Sequence, residues 1–241
     1  MRFTSRGKVS ASMCDSEAKL SLLGAVQLIQ DYVSELFGIV KVDQTTMKNK
    51  HGAMWVFTKN RVKIERQLRW DEEFEVSCFV SCLTPVRMVV ETIFEHNKQI
   101  ILVSQIEACA VDISTQKIRR ITSEIISKNF VEVSTEKLEF SRLNMQEMES
   151  EAIDNEVVIG STCIDFCKHT NNTEYVRFVL NTFSVIDLKE HPIKLFEICY
   201  LSQTFEGDKL QILKKQERNI TDIVLRKGAE NVVLCRLTQE I

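Results

Sequence analysis

Two segments of the chain are apolar over most of a helical surface, and each precedes several runs of β-forming residues. The segments, residues 20–37 and 172–183, carry apolar side chains at spacings of three and four. Asn171 and Glu174 have the form of a capping box at the start of the second segment. A helix with so little polar surface must be buried on more than one side, and a long antiparallel sheet that curls can cover it. We therefore predict an α+β fold in which each half is a central apolar helix wrapped by a curved antiparallel sheet.

The β-forming runs are long because only seven glycines and two prolines interrupt the chain. The runs after the first helix are residues 55–64, 74–82, 86–95 and 99–112. The runs after the second helix are residues 194–203, 209–214 and 220–237, the last with an interruption at 226–230. Each half is thus predicted to contain one helix followed by antiparallel strands.

The two halves also repeat one another in detail, which indicates a tandem duplication. Both helices are preceded by the same pattern of polar residues: Asp15, Lys19 and Ser21 in the first half, and Asp165, His169 and Asn171 in the second. WDEEFEV (70–76) matches EGDKLQI (206–212) in the order of its acidic and apolar positions. The first copy lacks the histidine, so chemistry at the helix entrance would belong to the second.

An acidic, poorly periodic stretch from about residue 122 to residue 156 separates the halves. We expect an N-terminal domain over residues 1–140, an acidic linker over 141–155 and a C-terminal domain over 156–241.

Composition excludes several classes of protein. Hydrophobic residues make up 44% of the chain and charged residues 27%, and no apolar run reaches the roughly 18 residues that a membrane span needs. The N-terminus has no apolar core of a secretory signal, so we expect a cytoplasmic protein. The net charge of −3 predicts neither nucleic-acid nor membrane binding. The eight cysteines lie mostly in apolar runs, which favours reduced, buried thiols.

The stretch CIDFCKHTNN (163–172) raises the question of function, because it contains Asp165-x-Cys167-x-His169. These residues could be an active site, a metal site or only the turn before a buried helix. Spacing alone favours a turn with Asn171 as helix cap. A zinc site built from the C-x3-C pairs at 78 and 82 and at 163 and 167 is disfavoured, because turn-like C-x2-C pairs are missing.

The same residues carry a resemblance to a known family. The segments DSEAKLSLLGAVQLIQDYVSE, MWVFTKNRVKIERQLRWDEEFEV and DFCKHTNNTEYVRFVLN look like blocks of the acyl-ACP thioesterases, bacterial relatives of the plant enzymes that end fatty-acid synthesis. The most specific motif of that family is D-x-N-x-H-x-N-N, which Asp165, His169, Asn171 and Asn172 match. Cys167 stands where the family usually has Asn. The resemblance implies a tandem double hot-dog fold.

The family also has a Glu a few residues before a Gly-Asp pair, which here is Gly207-Asp208. Counting back puts Gln203 at the Glu position, with Glu206 as the candidate if the register slips. Two expected polar residues, at 167 and 203, are therefore altered. This departure leaves open a different reaction or a binding role.

The resemblance implies a role for each residue of the motif. Asp165 would be the general base or nucleophile, and His169 would position the substrate carbonyl or the water. Backbone amides near Asn171 and Asn172 would donate to the oxyanion. Gln203 could orient a water but could not take its proton. Cys167 would replace the family's Asn, or its thiol, two residues from His169, would be activated as a nucleophile, and we favour replacement.

The implied function is hydrolysis of fatty acyl-ACP to free fatty acid and ACP, with no metal or organic cofactor. The acyl chain would occupy a pocket in the first domain, where the available side chains are Leu23, Val26, Gln27, Leu28 and Trp55. The alternatives are an acyl-CoA thioesterase, or a non-catalytic protein that binds acyl-ACP or acyl chains. Association into a homodimer is left open.

The acyl carrier protein is acidic, so it would need a basic docking surface. Lys59, Arg61 and Lys63 alternate along a predicted strand and would project from one face. A second basic patch contains Lys117, Arg119 and Arg120. A solvated face with edge-protecting charges is the more common explanation of such runs.

Overall fold

The computed structural model describes residues 1–134, 140, 141, 143, 148 and 153–240. The chain divides into two compact units, Met1–Glu139 and Phe140–Ile241, here called unit 1 and unit 2. Most of the predicted linker, residues 141–155, lies outside the described residues. The first strand of unit 2 begins at Ile153, inside that predicted linker, and the Ser141 hydroxyl donates to the Glu197 carboxylate at 2.7 Å.

Unit 1 is an antiparallel sheet with two helices. Its elements are β1 (Arg2–Lys8), α1 (Leu22–Ile39), α2 (Gln44–His51), β2 (Ala53–Ile64), β3 (Glu73–Leu83), β4 (Met88–His96), β5 (Gln99–Asp112) and β6 (Ile118–Arg119). The strand order is β1-β3-β4-β5-β2, and β6 pairs with β5. This arrangement agrees with the predicted helix followed by long antiparallel strands.

Helix α1 forms the centre of unit 1. Its N-terminus is capped by the Ser21 side chain, which accepts from the Gly24 amide at 3.0 Å. The helix packs on β3 and β4, where the Tyr32 ring lies 6.4 Å from Phe74 and 5.9 Å from Phe94, measured between centroids. The apolar stripe recognised in the sequence is thus the buried face of α1.

Unit 2 repeats this plan with a shorter helix. Its elements are β7 (Ile153–Val158), α3 (Asn172–Leu180), α4 (Val185–Glu190), β8 (Ile193–Tyr200), β9 (Lys209–Glu217), β10 (Ile220–Lys227) and β11 (Glu230–Gln239). The strand order is β8-β11-β10-β9-β7, and all pairs are antiparallel. Helix α3 packs against β8, because the Tyr175 and Tyr200 ring centroids lie 6.0 Å apart.

Helix α3 ends at Leu180, three residues before the predicted end. The Lys214 ammonium donates to the Thr182 carbonyl at 2.6 Å and lies 3.8 Å from the centre of the Phe183 ring. These contacts with β9 take the place of a further helical turn.

None of the helices in the described parts of the chain is long and apolar enough to cross a membrane.

The repeat seen in the sequence is also a repeat of backbone hydrogen bonds. We call residues 15–19 entry loop 1 and residues 165–169 entry loop 2. The first and last residues of each loop are joined, because the Asp15 amide donates to the Lys19 carbonyl at 2.7 Å and the Asp165 amide donates to the His169 carbonyl at 3.0 Å. The fourth residue of each loop has a left-handed backbone, with φ of 55° at Ala18 and 69° at Lys168.

The loops that follow the next strand match as well. We call residues 65–72 return loop 1 and residues 201–208 return loop 2. The Leu20 amide donates to the Leu68 carbonyl at 2.7 Å, and the Thr170 amide donates to the Thr204 carbonyl at 2.9 Å. Each return loop is therefore bonded to the residue that follows its entry loop. The alignment of WDEEFEV with EGDKLQI is confirmed by a matching pair of backbone bonds. The Asp71 amide donates to the carbonyl of Val9, the residue after β1, at 3.0 Å. The Gly207 amide donates to the carbonyl of Ile159, the residue after the first strand of unit 2, at 2.9 Å.

Candidate active site

Entry loop 2 brings the three side chains of the Asp165-x-Cys167-x-His169 pattern together. Their oxygen, sulfur and nitrogen atoms all lie within 4.8 Å of one another. The Asp165 Oδ1 atom accepts from the Cys167 amide at 2.8 Å, which fixes the carboxylate within the loop. His169 Nδ1 lies 3.9 Å from the same oxygen, too far for a hydrogen bond. The Asp165 and His169 side chains are 19% and 23% exposed, so both can be reached from solvent.

Entry loop 1 shows which of these features are structural. The Asp15 Oδ1 atom accepts from the Glu17 and Lys19 amides at 2.9 and 3.0 Å, so Asp15 stabilises its loop as Asp165 does. Glu17 and Lys19 stand at the positions of Cys167 and His169. The turn therefore needs the aspartate in both units, whereas the thiol and the imidazole belong to unit 2 alone.

Asn171 and Asn172 have different places at the start of α3. Asn171 is the predicted cap, because its side chain accepts from the Thr173 amide at 3.0 Å. Its own amide donates to the Cys163 carbonyl at 2.9 Å and is therefore occupied. Asn172 is the first helical residue, and no described residue accepts a hydrogen bond from its amide. Of the two amides, only that of Asn172 is open to an incoming oxygen.

The second half of the predicted capping box is absent. The Glu174 side chain accepts from Arg177 Nε at 3.1 Å instead of returning to the Asn171 amide. That amide donates to the Cys163 carbonyl instead. The prediction of the cap was correct and that of the box was wrong.

Gln203 lies in return loop 2 and not on a strand, because β8 ends at Tyr200. The next residue, Thr204, is bonded to Thr170, which directly follows His169. Glu206, the alternative candidate, lies in the exposed turn that comes after. The register of the backbone bonds thus brings the backbone at position 203 close to that of entry loop 2.

Asp208 closes return loop 2. Its carboxylate accepts from the Phe205 amide at 3.0 Å and pairs with the Lys227 ammonium at 2.8 Å. The hydrogen bond from Lys227 lowers the pKa of Asp208. This ion pair ties the loop that carries Gln203 to strand β10.

Three buried hydroxyl groups connect the two loops of unit 2. Thr204 Oγ1 lies 2.7 Å from Thr170 Oγ1 and 2.7 Å from the Tyr175 hydroxyl, and Thr170 Oγ1 also donates to the Thr204 carbonyl at 3.0 Å. The three residues are at most 2% exposed. Burial raises the pKa of Tyr175. This hydroxyl cluster was not predicted from the sequence, where its only signal is one Tyr and two Thr at positions that are apolar in unit 1.

Unit 1 has apolar residues where unit 2 has the hydroxyl cluster. The counterparts are Leu20, Ala25 and Leu68, and the backbone bond between the loops is kept. They line a small crevice together with Gln67, Phe94 and Leu102. None of the five side chains proposed for an acyl pocket borders this crevice. Trp55, one of the five, is a core residue whose Nε1 donates to the Val42 carbonyl at 2.7 Å.

The basic residues of β2 share one face of the sheet of unit 1. Lys59, Arg61 and Lys63 are each half-buried and lie opposite residues of β5. Lys63 forms an ion pair with Glu65 at 2.5 Å. In the second basic patch, Arg119 donates to the His51 carbonyl and lies 3.7 Å from Asp112. Both patches are thus partly engaged within the unit.

Comparisons with known proteins identify the family. The model of the acyl-ACP thioesterase N-terminal domain matches residues 1–129, and that of the C-terminal domain matches residues 146–237. The chain belongs to the acyl-ACP thioesterase family. It is a thioester hydrolase, and the family's reaction, hydrolysis of fatty acyl-ACP, is its reaction.

Solved structures show the same double hot-dog fold. An acyl-ACP thioesterase from Bacteroides thetaiotaomicron is 16% identical with a TM-score of 0.91, over 99% of this chain and 98% of the other. The 12:0-ACP thioesterase from Umbellularia californica is 18% identical with a TM-score of 0.86, over 99% of this chain and 97% of the other. The predicted tandem double hot-dog is thereby confirmed. No curated protein sequence matches the chain significantly.

Proposed function

We propose that entry loop 2 and the N-terminus of α3 form the active site at which the thioester of fatty acyl-ACP is hydrolysed. The observation that supports this most directly is the meeting of the Asp165 carboxylate and the His169 imidazole, both accessible, one turn before a buried helix. A general base and a second polar group at hydrogen-bonding reach of a substrate are what water activation requires.

Asp165 acts as the general base in this proposal. Its Oδ1 atom is held by the Cys167 amide, whereas no described residue donates to Oδ2. The second oxygen can accept a proton from water while the water oxygen attacks the thioester carbonyl carbon. The C–S bond then breaks, the acid leaves, and the carrier's pantetheine sulfur takes up the proton. Entry loop 2 keeps the carboxylate in place throughout, since it is closed by the bond between Asp165 and His169.

The oxyanion that forms during attack is stabilised by the start of α3. The Asn172 amide is the open donor there, and the partial positive charge of a helix N-terminus adds to its effect. His169, whose Nδ1 lies 3.9 Å from Asp165 Oδ1, positions the carbonyl or the water. Gln203 orients the water as a hydrogen-bonding side chain, and Cys167 serves as the replacement of the family's Asn.

Unit 2 is therefore assigned the chemistry and unit 1 the binding of the acyl chain. Entry loop 1 has Lys19 in place of the histidine, so it lacks the imidazole that the reaction uses. The crevice beside α1 is too small to hold an acyl chain, so acyl-chain binding in unit 1 is proposed from the family resemblance alone. Each buried methylene of the substrate would contribute about 0.8 kcal/mol.

The test is release of fatty acid from a panel of acyl-ACPs and matching acyl-CoAs, followed by mass spectrometry. We expect Asp165→Asn and His169→Gln to abolish release while circular dichroism stays unchanged. Asp15→Asn is the matched control, because it alters the same turn in unit 1 and should leave the rate intact. Equal activity of Asp165→Asn and Asp15→Asn would refute the assignment. Release from acyl-CoA alone would exclude the carrier protein as the required partner.

A further inference from the structure

We propose that Asp165, Cys167 and His169 bind Zn²⁺ and that the bound ion blocks the active site reversibly. The zinc site is inferred from the geometry of entry loop 2. Only the inhibition of hydrolysis by the bound ion rests on the proposed function.

The three side chains offer the atom types that zinc selects. They supply a carboxylate oxygen, a thiolate sulfur and an imidazole nitrogen, and three protein ligands with an open fourth position form a common zinc arrangement. The thiolate favours zinc over magnesium and calcium, which take oxygen ligands. The ligand set exists here because Cys167 stands where the family usually has Asn.

The three ligand atoms are close enough to meet at one ion after rotation of their side chains. All three ligand atoms lie within 4.8 Å of one another, and His169 Nδ1 lies 3.9 Å from Asp165 Oδ1. Two nitrogen or oxygen ligands of a tetrahedral zinc ion are separated by roughly 3.4 Å, as ligand bonds of 2.0–2.1 Å require. The remaining difference is within reach of side-chain rotation. The fixed backbone of the loop makes the arrangement persistent, since both its ends and its aspartate are hydrogen-bonded.

The solvent exposure of the ligands and the comparison with entry loop 1 support the same site. Asp165 and His169 are partly exposed, so an ion can enter from solvent. No other group of His, Cys, Asp or Glu side chains in the described parts of the chain converges in this way. Entry loop 1 has the same backbone but carries Lys19, whose ammonium cannot ligate a metal, at the histidine position.

Bound zinc would remove the groups that hydrolysis needs. The lone pair of the imidazole and the carboxylate of Asp165 would be engaged with the ion and could no longer position or deprotonate water. We therefore expect Zn²⁺ to inhibit the wild-type chain and a chelator to restore activity.

The experiment measures zinc binding directly, by competition with a zinc-indicator dye under reducing conditions. The variants are Cys167→Asn, which restores the family's residue, and Cys82→Ser, which removes an exposed thiol far from the loop in sequence. Losing one ligand should weaken binding by more than about tenfold, since changes behind the ligands already cost 10–100-fold. Cys82→Ser should bind like wild type. Cobalt(II) should give a thiolate charge-transfer band in wild type and not in Cys167→Asn.

Each outcome decides one point. Zinc affinity that is unchanged in Cys167→Asn, or that is lost in Cys82→Ser, would overturn the site. If the site binds zinc, the Zn²⁺ concentration that halves hydrolysis, measured for each protein relative to its own rate in chelator, should be at least about tenfold higher for Cys167→Asn than for wild type. Equal inhibitory concentrations would overturn the proposed block. Absence of hydrolysis by wild type in the presence of chelator would refute the proposed function and leave the dye and cobalt readouts to judge the site.

Discussion

The hydroxyl groups of Tyr175 and Thr204 lie 2.7 Å apart in the interior of unit 2, where the two residues are 2% and 0% exposed. Thr204 Oγ1 is also 2.7 Å from Thr170 Oγ1, so it lies between two hydroxyl partners. In unit 1 the same positions are occupied by alanine and leucines, although the backbone bond between the loops is the same. The hydroxyls are thus an addition specific to the unit that carries His169.

Removing the central hydroxyl should destabilise unit 2. Thr204→Val leaves the Tyr175 and Thr170 hydroxyls buried without this partner, and we expect a loss of about 1–3 kcal/mol in the free energy of unfolding. Thr204→Ser keeps the oxygen and should lose less. Urea denaturation followed by far-ultraviolet circular dichroism measures both. Equal stability of the Val variant and wild type would show that the cluster contributes no net stabilisation.

Restoring a carboxylate at position 203 should accelerate hydrolysis. Gln203 can orient a water but cannot take its proton, whereas a glutamate can, and general-base catalysis is typically worth 10²–10⁴-fold. We expect Gln203→Glu to raise kcat by about tenfold or more, with Glu206→Gln as the control that should change little. An unchanged rate in Gln203→Glu would mean that Asp165 and His169 suffice for the chemistry.

Charge reversal on β2 should weaken recognition of the carrier protein. Lys59→Glu with Lys63→Glu is expected to raise KM for acyl-ACP severalfold through repulsion of an acidic partner, with a steep dependence on salt. Arg61 is left intact because its Nε is buried. An acyl-pantetheine substrate, which has no carrier, should keep its KM.

The control for that surface is Lys48→Glu with Lys50→Glu, two exposed lysines on α2. This pair makes the same change in net charge outside the strand that carries Lys59 and Lys63. A similar increase in KM from both double variants would reject specific docking at Lys59 and Lys63.

The ion pair between Asp208 and Lys227 should make return loop 2 sensitive to acid. The pKa of Asp208 is lowered in the folded state, so its contribution to stability is complete above the ordinary aspartate pKa of about 3.9. That contribution is lost as the pH falls through the lowered value. The difference in Tm between wild type and Asp208→Asn should therefore be constant near neutral pH and shrink below about pH 4. A difference as large at pH 3 as at neutral pH would contradict the direction of the shift.

The sequence was sufficient for the elements that bury apolar surface. Both central helices and the long strands were located, and β5 was predicted with its observed ends, 99–112. Strands β1 and β7 were missed because they lie at sheet edges and contain no buried residue, so their sequences lack the apolar alternation of a half-buried strand. Helices α2 and α4 were missed for a related reason, since they are short and bury few side chains.

The site was predictable as far as it is local in sequence. Asp165, Cys167 and His169 belong to one five-residue loop, so their spacing already implied proximity. The relation between Thr170 and Thr204 depends on tertiary pairing of two loops, which no local pattern announces. The sequence also could not show that the Asn171 amide already donates a hydrogen bond. Its acceptor, the Cys163 carbonyl, is brought to it only by the path of the preceding turn.

The left-handed residue in each entry loop restricts which sequences can form this structure at all. Ala18 and Lys168 have positive φ, a conformation that β-branched side chains adopt only at considerable cost. A motif written to find further chains with this site should therefore exclude Val, Ile and Thr at that position, while accepting Gly, Asn and unbranched residues. The residue before the histidine would then be restricted by its backbone conformation alone, a restriction that a pattern built only from the polar side chains would leave out.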